Sequence, residues 1–132
     1  MKYTAIKEEY QKKLSKISEQ VGLFWAFNRE QFIEGKTKYP TKGKYTSIGM
    51  GGYLPSENAQ KYLQELKALN KWNKETIKQA KKEEVILYEL NNYECFYTGD
   101  ITDAYEVLKD TYTKEEVQEV YKKYKAQKYI QA

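Results

Sequence analysis

The sequence of 132 residues predicts an α+β fold, namely a mostly helical single domain with a small antiparallel sheet of three or four short strands. Three observations support this prediction. Long stretches place apolar residues at helical spacing, short aromatic runs lie next to glycines, and no linker, repeat or low-complexity tract divides the chain. The 20 aromatic residues exclude a disordered polar chain. We therefore expect one globular domain over residues 1–132.

The first helix is predicted over residues 3–21. Its apolar residues recur every three or four positions and so share one face, while Lys and Glu fill the other. Gly22 follows at a position where glycine commonly ends a helix. The apolar face consists of Tyr3, Ile6, Tyr10, Leu14, Ile17 and Val21.

The strands are predicted on either side of a loop. Residues 22–27 form an aromatic, apolar run, for which we expect a buried strand with Trp25, like Trp72, in the core. Residues 36–44 contain Pro and Gly without apolar periodicity and predict the loop. Residues 45–54 have the composition of a strand but contain three glycines, which favours two short strands around a glycine bend.

A short helix is predicted over residues 29–35. Asn28 stands where an N-cap is expected, and Gln31 completes a capping box three residues later. Gly35 is expected to end this helix. Its inward positions are predicted to be Phe32 and Ile33.

Two further helices are predicted over about 56–72 and 74–91, with Ser56 as the first N-cap. The break between them is placed where asparagines cluster around Trp72, because asparagine favours turns over helix interiors. The apolar stripe of the first of these helices consists of Ala59, Leu63, Leu66 and Leu69.

The C-terminal third is predicted to contain one strand and two helices. The aromatic residues 93–97 suggest the strand, followed by a turn at 98–100 and a short helix over about 102–109. Thr113 opens a capping box for a last helix that reaches about residue 129. The inward positions of that helix are predicted to be Val117, Val120, Tyr121, Tyr124 and Tyr129.

The composition excludes most catalytic chemistry. Without histidine there is no Ser-His-Asp triad, no imidazole proton shuttle and no His-bearing zinc site, and one cysteine excludes a multi-cysteine metal site. Cys95 is expected to be buried and inert. The carboxylate pairs Glu30/Glu34 and Asp100/Asp103 are what chance gives among 19 acids. We expect a binding protein and not an enzyme, with no cofactor and no metal.

The net charge of +4 is the sum of three blocks. Residues 1–82 carry a balance of +9, residues 83–119 one of −9, and residues 120–132 one of +4. Within the basic blocks, lysines alternate with tyrosines, a combination that can hold phosphates and stack bases. The alternative is that these lysines only solvate a loop and a helix face. The candidate binding residues are Lys36, Lys38, Tyr39, Lys42, Lys44, Tyr45, Lys122, Lys123 and Lys125.

The acidic block supplies a second candidate surface. A surface rich in carboxylates can imitate nucleic acid and occupy a basic channel of a partner protein. The alternative is that the acids stabilise helix N-termini. The candidate partner-binding acids are Glu89, Glu94, Asp100, Asp103, Glu106 and Asp110.

The sequence predicts neither a membrane span nor a signal peptide. No segment approaches the roughly 20 consecutive apolar residues that a membrane helix needs. The first residues lack the apolar stretch of a secretory signal. We therefore expect no membrane partner and a cytoplasmic location.

The chain resembles a family of small proteins encoded by phages and prophages of gut and other low-GC bacteria. The resemblance is based, in order along the chain, on residues 24–32 with Gly35, 51–53, 87–100, 102–104 and 113–117. Some type II-A anti-CRISPR proteins are similar in size and composition. The resemblance implies a phage-encoded inhibitor of a bacterial defence system, acting by protein binding in the cytoplasm of the bacterial host. The implied partner is a Cas effector such as Cas9 or its guide RNA complex.

Two other functions are compatible with the sequence. The lysine and tyrosine residues suit a nucleic-acid-binding accessory protein. The glycines around Gly49–Tyr53 suit a protein that sequesters a signalling nucleotide, because backbone N–H groups free of Cβ atoms can wrap a phosphate. The segment lacks the ending of a P-loop, however, which favours a simple bend.

Overall fold

The computed structural model describes the backbone of residues 1–131 and the side chains of residues 1–127, and it confirms the mostly helical α+β fold. In that part of the chain, seven α-helices accompany one three-stranded antiparallel sheet. The helices are α1 (Tyr3–Val21), α2 (Arg29–Lys38), α3 (Ala59–Ile77), α4 (Lys82–Asn92), α5 (Cys95–Thr98), α6 (Thr102–Leu108) and α7 (Lys114–Gln131). The strands are β1 (Phe24–Trp25), β2 (Tyr45–Gly49) and β3 (Gly52–Pro55). None of these helices combines the length and the apolar character that crossing a membrane requires.

The chain divides into two compact units. Unit 1 comprises residues 1–6 together with the chain from Asn73 onward, and unit 2 comprises residues 7–72. Both α1 and α3 pass from one unit into the other. The expectation of one domain over residues 1–132 stays a prediction.

Unit 1 is built around α4, which packs against α5, α6 and α7. Val85, Ile86 and Leu90 of α4 are completely buried, because the helix is enclosed on several sides. The predicted inward face of α7 is confirmed, since Val117 and Val120 are buried; Tyr121 and Tyr124 are half-buried, and the side chain of Tyr129 lies outside the described residues.

Unit 2 contains the sheet, with strand order β1-β3-β2. Phe24 lies opposite Tyr53, and Trp25 lies opposite Gly52. The predicted glycine bend is confirmed between β2 and β3. Met50 and Gly51 both have positive φ, 53° and 88°, as a two-residue hairpin turn requires.

The apolar face of α1 and three predicted helix ends are confirmed. Asn28 Oδ1 accepts the Gln31 N–H at 2.8 Å, and Thr113 and Glu116 form a reciprocal capping box. Gly22 has φ 74° just after α1. On α1, four residues are buried and two are half-buried, namely Tyr3, Ile6, Ile17 and Val21, then Tyr10 and Leu14.

The prediction that Gly35 ends α2 is wrong, because α2 continues to Lys38 and the loop begins only after it. Gly35 instead allows the Phe24 ring to pack closely against α2. A Cβ atom on Gly35 would lie 2.0 Å from Cδ2 of the Phe24 ring, so the ring can rest on the helix only where a side chain is missing. Ile33, predicted to face inward, is 52% exposed.

Two other boundaries differ from the prediction. The break expected near Trp72 is absent, since α3 runs to Ile77; its buried positions Leu69 and Thr76 are seven residues apart and share one face. Leu63 lies off that face and is 59% exposed. Ser56 begins a 3₁₀ turn before α3, and its hydroxyl lies 2.7 Å from that of Thr46, so the prediction of a simple N-cap there is wrong.

The strand predicted over residues 93–97 is wrong. Glu94 adopts a left-handed conformation with φ 55°, and the short helix α5 follows it. Its first residue, Cys95, is buried as expected, whereas Tyr97 is 91% exposed. Aromatic content suggested a strand here, but the burial pattern lacks the alternation that a half-buried strand shows.

Replacing Gly35 by alanine is expected to destabilise the protein. Alanine favours a helix over glycine by about 1 kcal/mol, but the added methyl group would collide with the Phe24 ring. We expect a net loss of about 1–3 kcal/mol in the free energy of unfolding, measured by chemical denaturation. Gly43→Ala is the control, because the nearest atom to a Cβ there is 3.7 Å away. A gain in stability for Gly35→Ala would contradict this account.

Candidate functional site

An aromatic cluster fills the space between the sheet of unit 2 and α2. Phe24 is its centre, with ring centroids 5.9 Å from Phe32, 6.4 Å from Tyr39, 5.8 Å from Tyr45 and 6.0 Å from Tyr53. The Tyr45 hydroxyl donates to the Tyr39 carbonyl oxygen at 2.7 Å. Tyr39 and Tyr45, two predicted binding residues, are therefore half-buried packing residues that hold the loop between α2 and β2 in place.

The rings that face outward are those of Trp25 and Phe27, which are 54% and 75% exposed. A strand is present within the predicted range 22–27, but it covers only Phe24–Trp25, and the prediction that Trp25 lies in the core is wrong. Over residues 24–27 the burial alternates, with Phe24 and Ala26 buried and the next residue exposed in each case. One side of this short strand faces the cluster and the other side faces solvent.

Both exposed rings lie against the glycine backbone of the hairpin. A Cβ atom on Gly51 would lie 2.5 Å from Cε1 of Phe27, and one on Gly52 would lie 2.9 Å from Cζ3 of Trp25. The Ile48 side chain also contacts Gly52, and Met50 at the turn is 93% exposed. We call the four exposed side chains the hairpin platform, namely Trp25, Phe27, Ile48 and Met50.

Hydrogen bonds fix the backbone that carries Phe27. The Phe27 N–H donates to Gln31 Oε1 at 2.8 Å, and the Ala26 N–H donates to the Gly51 carbonyl oxygen at 2.8 Å. The capping box of α2 therefore holds the residue before its N-cap and orients an exposed ring. A backbone fixed in this way loses less conformational entropy when a ligand binds.

Trp25 and Phe27 also line a shallow groove whose opposite wall is α2. The wall contributes Gln31, Glu34, Gly35 and Lys38. Lys38 brings a positive charge to the groove, and Glu34 brings a negative one a single turn earlier on the same helix. Exposed rings and an ammonium group thus share one concave surface.

Four exposed lysines lie in a stretch without acids, from residue 35 to residue 56. Of these, Lys38 lines the groove, whereas Lys42 and Lys44 precede β2 at the end of the strand away from the hairpin turn. Within the described residues none of the four forms an ion pair. Two of them contact rings, since Lys36 Nζ lies 5.5 Å from the Phe32 centroid and Lys38 Nζ lies 5.4 Å from the Tyr39 centroid. The four are Lys36, Lys38, Lys42 and Lys44.

The C-terminal lysines belong to unit 1, and two of them contact other side chains. Lys123 Nζ lies 2.8 Å from Glu83 Oε1, and this hydrogen bond lowers the pKa of the Glu83 carboxyl. Lys125 Nζ lies 5.5 Å from the Tyr121 centroid. Lys122 is exposed. The two predicted lysine groups therefore lie in different units.

Glu89 is not an exposed member of the acidic block. It is 2% exposed, and its Oε2 accepts a hydrogen bond from the Tyr3 hydroxyl at 3.1 Å. Burial, together with the nearby carboxylate, raises the pKa of the Tyr3 hydroxyl. Glu89 therefore lies in the interior of unit 1, and the prediction that it belongs to an exposed binding surface is wrong.

The other five predicted acids are exposed. Asp100 accepts hydrogen bonds from the Thr102 hydroxyl and N–H, which lower the pKa of its carboxyl. Glu106 pairs with Lys109 at 2.9 Å and raises the pKa of that ammonium. The exposed acids are Glu94, Asp100, Asp103, Glu106 and Asp110.

Cys95 and the hairpin glycines, both considered as candidate chemistry in the sequence, have the following surroundings. Burial raises the pKa of the Cys95 thiol, which makes a reactive thiolate less accessible. No group of three or more potential metal ligands comes together in residues 1–131. The glycines of the hairpin form a turn, in which rings lie against Gly51 and Gly52 while the space at Gly49 is open. Nucleotide binding at Gly49–Tyr53 stays a prediction.

The fold and its surfaces define a small α+β protein with an exposed aromatic platform beside unpaired lysines. The chain belongs to a family of unknown function, DUF7659, whose model matches residues 6–127. Neither the curated proteins nor the solved structures contain a significant match.

The sequence-based prediction missed Trp25 and Phe27. The sequence holds no alternation that separates them from Phe24 and Ala26, because residues 23–27 are all apolar. An apolar run of this length fits a fully buried strand equally well.

Proposed function

We propose that this protein binds nucleic acid through unit 2, using the hairpin platform and the four lysines of the acid-free stretch, Lys36, Lys38, Lys42 and Lys44. The single observation that supports the proposal is the position of two exposed rings in a groove that also contains Lys38. Unit 2 holds 12 basic and seven acidic side chains, a balance of +5. Proteins that bind nucleic acid without base recognition combine such a positive surface with aromatic side chains.

Binding by this surface is expected to depend on charge and to be insensitive to base sequence. Lysine contacts phosphates as a point charge, whereas base recognition in the grooves relies mainly on Arg, Asn and Gln in fixed frames. Arg29 is the only arginine of the chain. Four lysine contacts would make the logarithm of the affinity fall with the logarithm of the salt concentration with a slope of roughly −3.

The lysines can be tested by gel shift at several salt concentrations. We expect the variant with Lys36, Lys38, Lys42 and Lys44 all replaced by Gln to bind at least about 10-fold more weakly and with a slope near zero. The control removes the same charge from exposed lysines elsewhere in unit 2, namely Lys12, Lys61, Lys67 and Lys71. Equal losses in the two variants, or no shift of the wild-type protein at low salt, would reject the proposal.

A second candidate function is inhibition of a bacterial defence complex. Five exposed carboxylates between Glu94 and Asp110 favour it, because they could occupy a basic channel of a Cas effector. The proposal also rests on the resemblance to phage proteins, and it places the protein in the cytoplasm of a bacterial host.

The inhibitor proposal is tested by adding the protein to a Cas9–guide complex and measuring DNA cleavage. We expect inhibition that is lost when the five exposed acids become Asn or Gln, because the partner channel is basic. The variant without the four lysines serves as the control and should still inhibit. Unchanged cleavage with several Cas9 orthologues, or equal inhibition by the acid-free variant, would contradict the proposal.

A further inference from the structure

We infer that the nucleic acid bound by unit 2 is single-stranded, and that unpaired bases stack on Trp25 and Phe27. This inference rests on the proposed function and assigns the ligand class of the same surface. Its observations are the exposure of the two rings, their support by glycine backbone, and the lysine in their groove.

Trp25 and Phe27 are not part of the aromatic cluster in the interior of unit 2. The interior of unit 2 already has its aromatic cluster, in which Phe24 is 8% exposed, whereas its strand neighbour Trp25 is 54% exposed. Gly51 and Gly52 lie against these rings, and both rings keep more than half of their surface exposed for contact. The backbone at Phe27 is held by the Gln31 side chain. A pair of rings fixed in this way is prepared for flat ligands.

The geometry favours a single strand over a duplex. In a duplex the base faces are stacked on one another, so a protein surface meets phosphates, sugars and base edges. In a single strand the bases can turn outward and stack on aromatic side chains, which typically improves binding by roughly 5- to 150-fold per base. Exposed Trp and Phe rings use that contact, whereas lysines alone bind both forms.

The charges favour nucleic acid over an apolar protein surface. Lys38 stands in the groove with both rings, and two more unpaired lysines, Lys42 and Lys44, follow before the next acid at Glu57. Phosphates next to the bases can contact these ammonium groups. Glu34 carries the groove's negative charge and disfavours phosphates at its own end, so the strand is expected to place its backbone toward Lys38.

The test compares a labelled oligothymidine of about 15 nucleotides with a duplex of the same length by fluorescence anisotropy. We expect the wild-type protein to prefer the single strand by at least about 10-fold, and Trp25→Leu and Phe27→Leu each to reduce that affinity by about 10-fold. Their salt slope should stay unchanged, because the phosphate contacts of the lysines remain. The control is Tyr97→Leu, which removes a 91% exposed ring from unit 1.

A second readout uses the fluorescence of Trp25 in a Trp72→Phe background. Stacking of thymine on the indole should quench this emission as the oligonucleotide is added. If the wild-type protein binds with the expected salt slope but Trp25→Leu behaves like Tyr97→Leu, the inference fails while the proposed function stands. If the wild-type protein binds no oligonucleotide, both fail, and the hairpin platform is then a surface for a protein partner.

Discussion

The architecture of unit 2 depends on the contact between the Phe24 ring and the backbone of α2 at Gly35. Because Gly35 has no Cβ atom, the ring can rest directly on the helix, and the tyrosines of the loop and sheet pack around it. Side chains alternate along a strand, so the inward position of Phe24 sends Trp25 outward. A packing constraint in the interior thereby decides which aromatic residue a partner can contact.

Close contact between an aromatic ring and a glycine also occurs on the outer side of the sheet. Gly51 and Gly52 lie under Phe27 and Trp25 where any side chain would collide with the rings. Glycine usually adds flexibility, but here it provides a flat supporting surface within a hydrogen-bonded hairpin. Rigid aromatic side chains bind at low entropic cost, which is why such exposed rings are suited to recognition.

Much of the fold follows from the sequence, whereas the binding surface does not. The period of α1, the caps at Asn28 and Thr113, and the glycine bend all depend on neighbours in the sequence, and each was predicted correctly. Gly35 was misinterpreted because a glycine that ends a helix and one that admits a ring from another element look alike in sequence. The exposure of Trp25 depends on which elements cover the sheet, and this is tertiary information.

Among the candidate binding residues, too, the sequence predicts some features and not others. Composition located an acid-free stretch of lysines correctly, but it could not separate the tyrosines that pack from the side chains that are free. Tyr39 and Tyr45 proved to be part of the cluster around Phe24, and Glu89 proved to be buried. The described contacts move the candidate surface from the tyrosines of the loop to the hairpin platform beside it.

The most direct test of the central claim is an NMR titration of the ¹⁵N-labelled protein with oligothymidine. We expect the indole N–H signal of Trp25 and the amide signals of the hairpin and of the lysine stretch to shift, because they lie on the proposed surface. The indole signal of Trp72, on α3, should remain in place. Shifts confined to residues 94–110 or 122–125, with an unchanged Trp25 signal, would contradict the account.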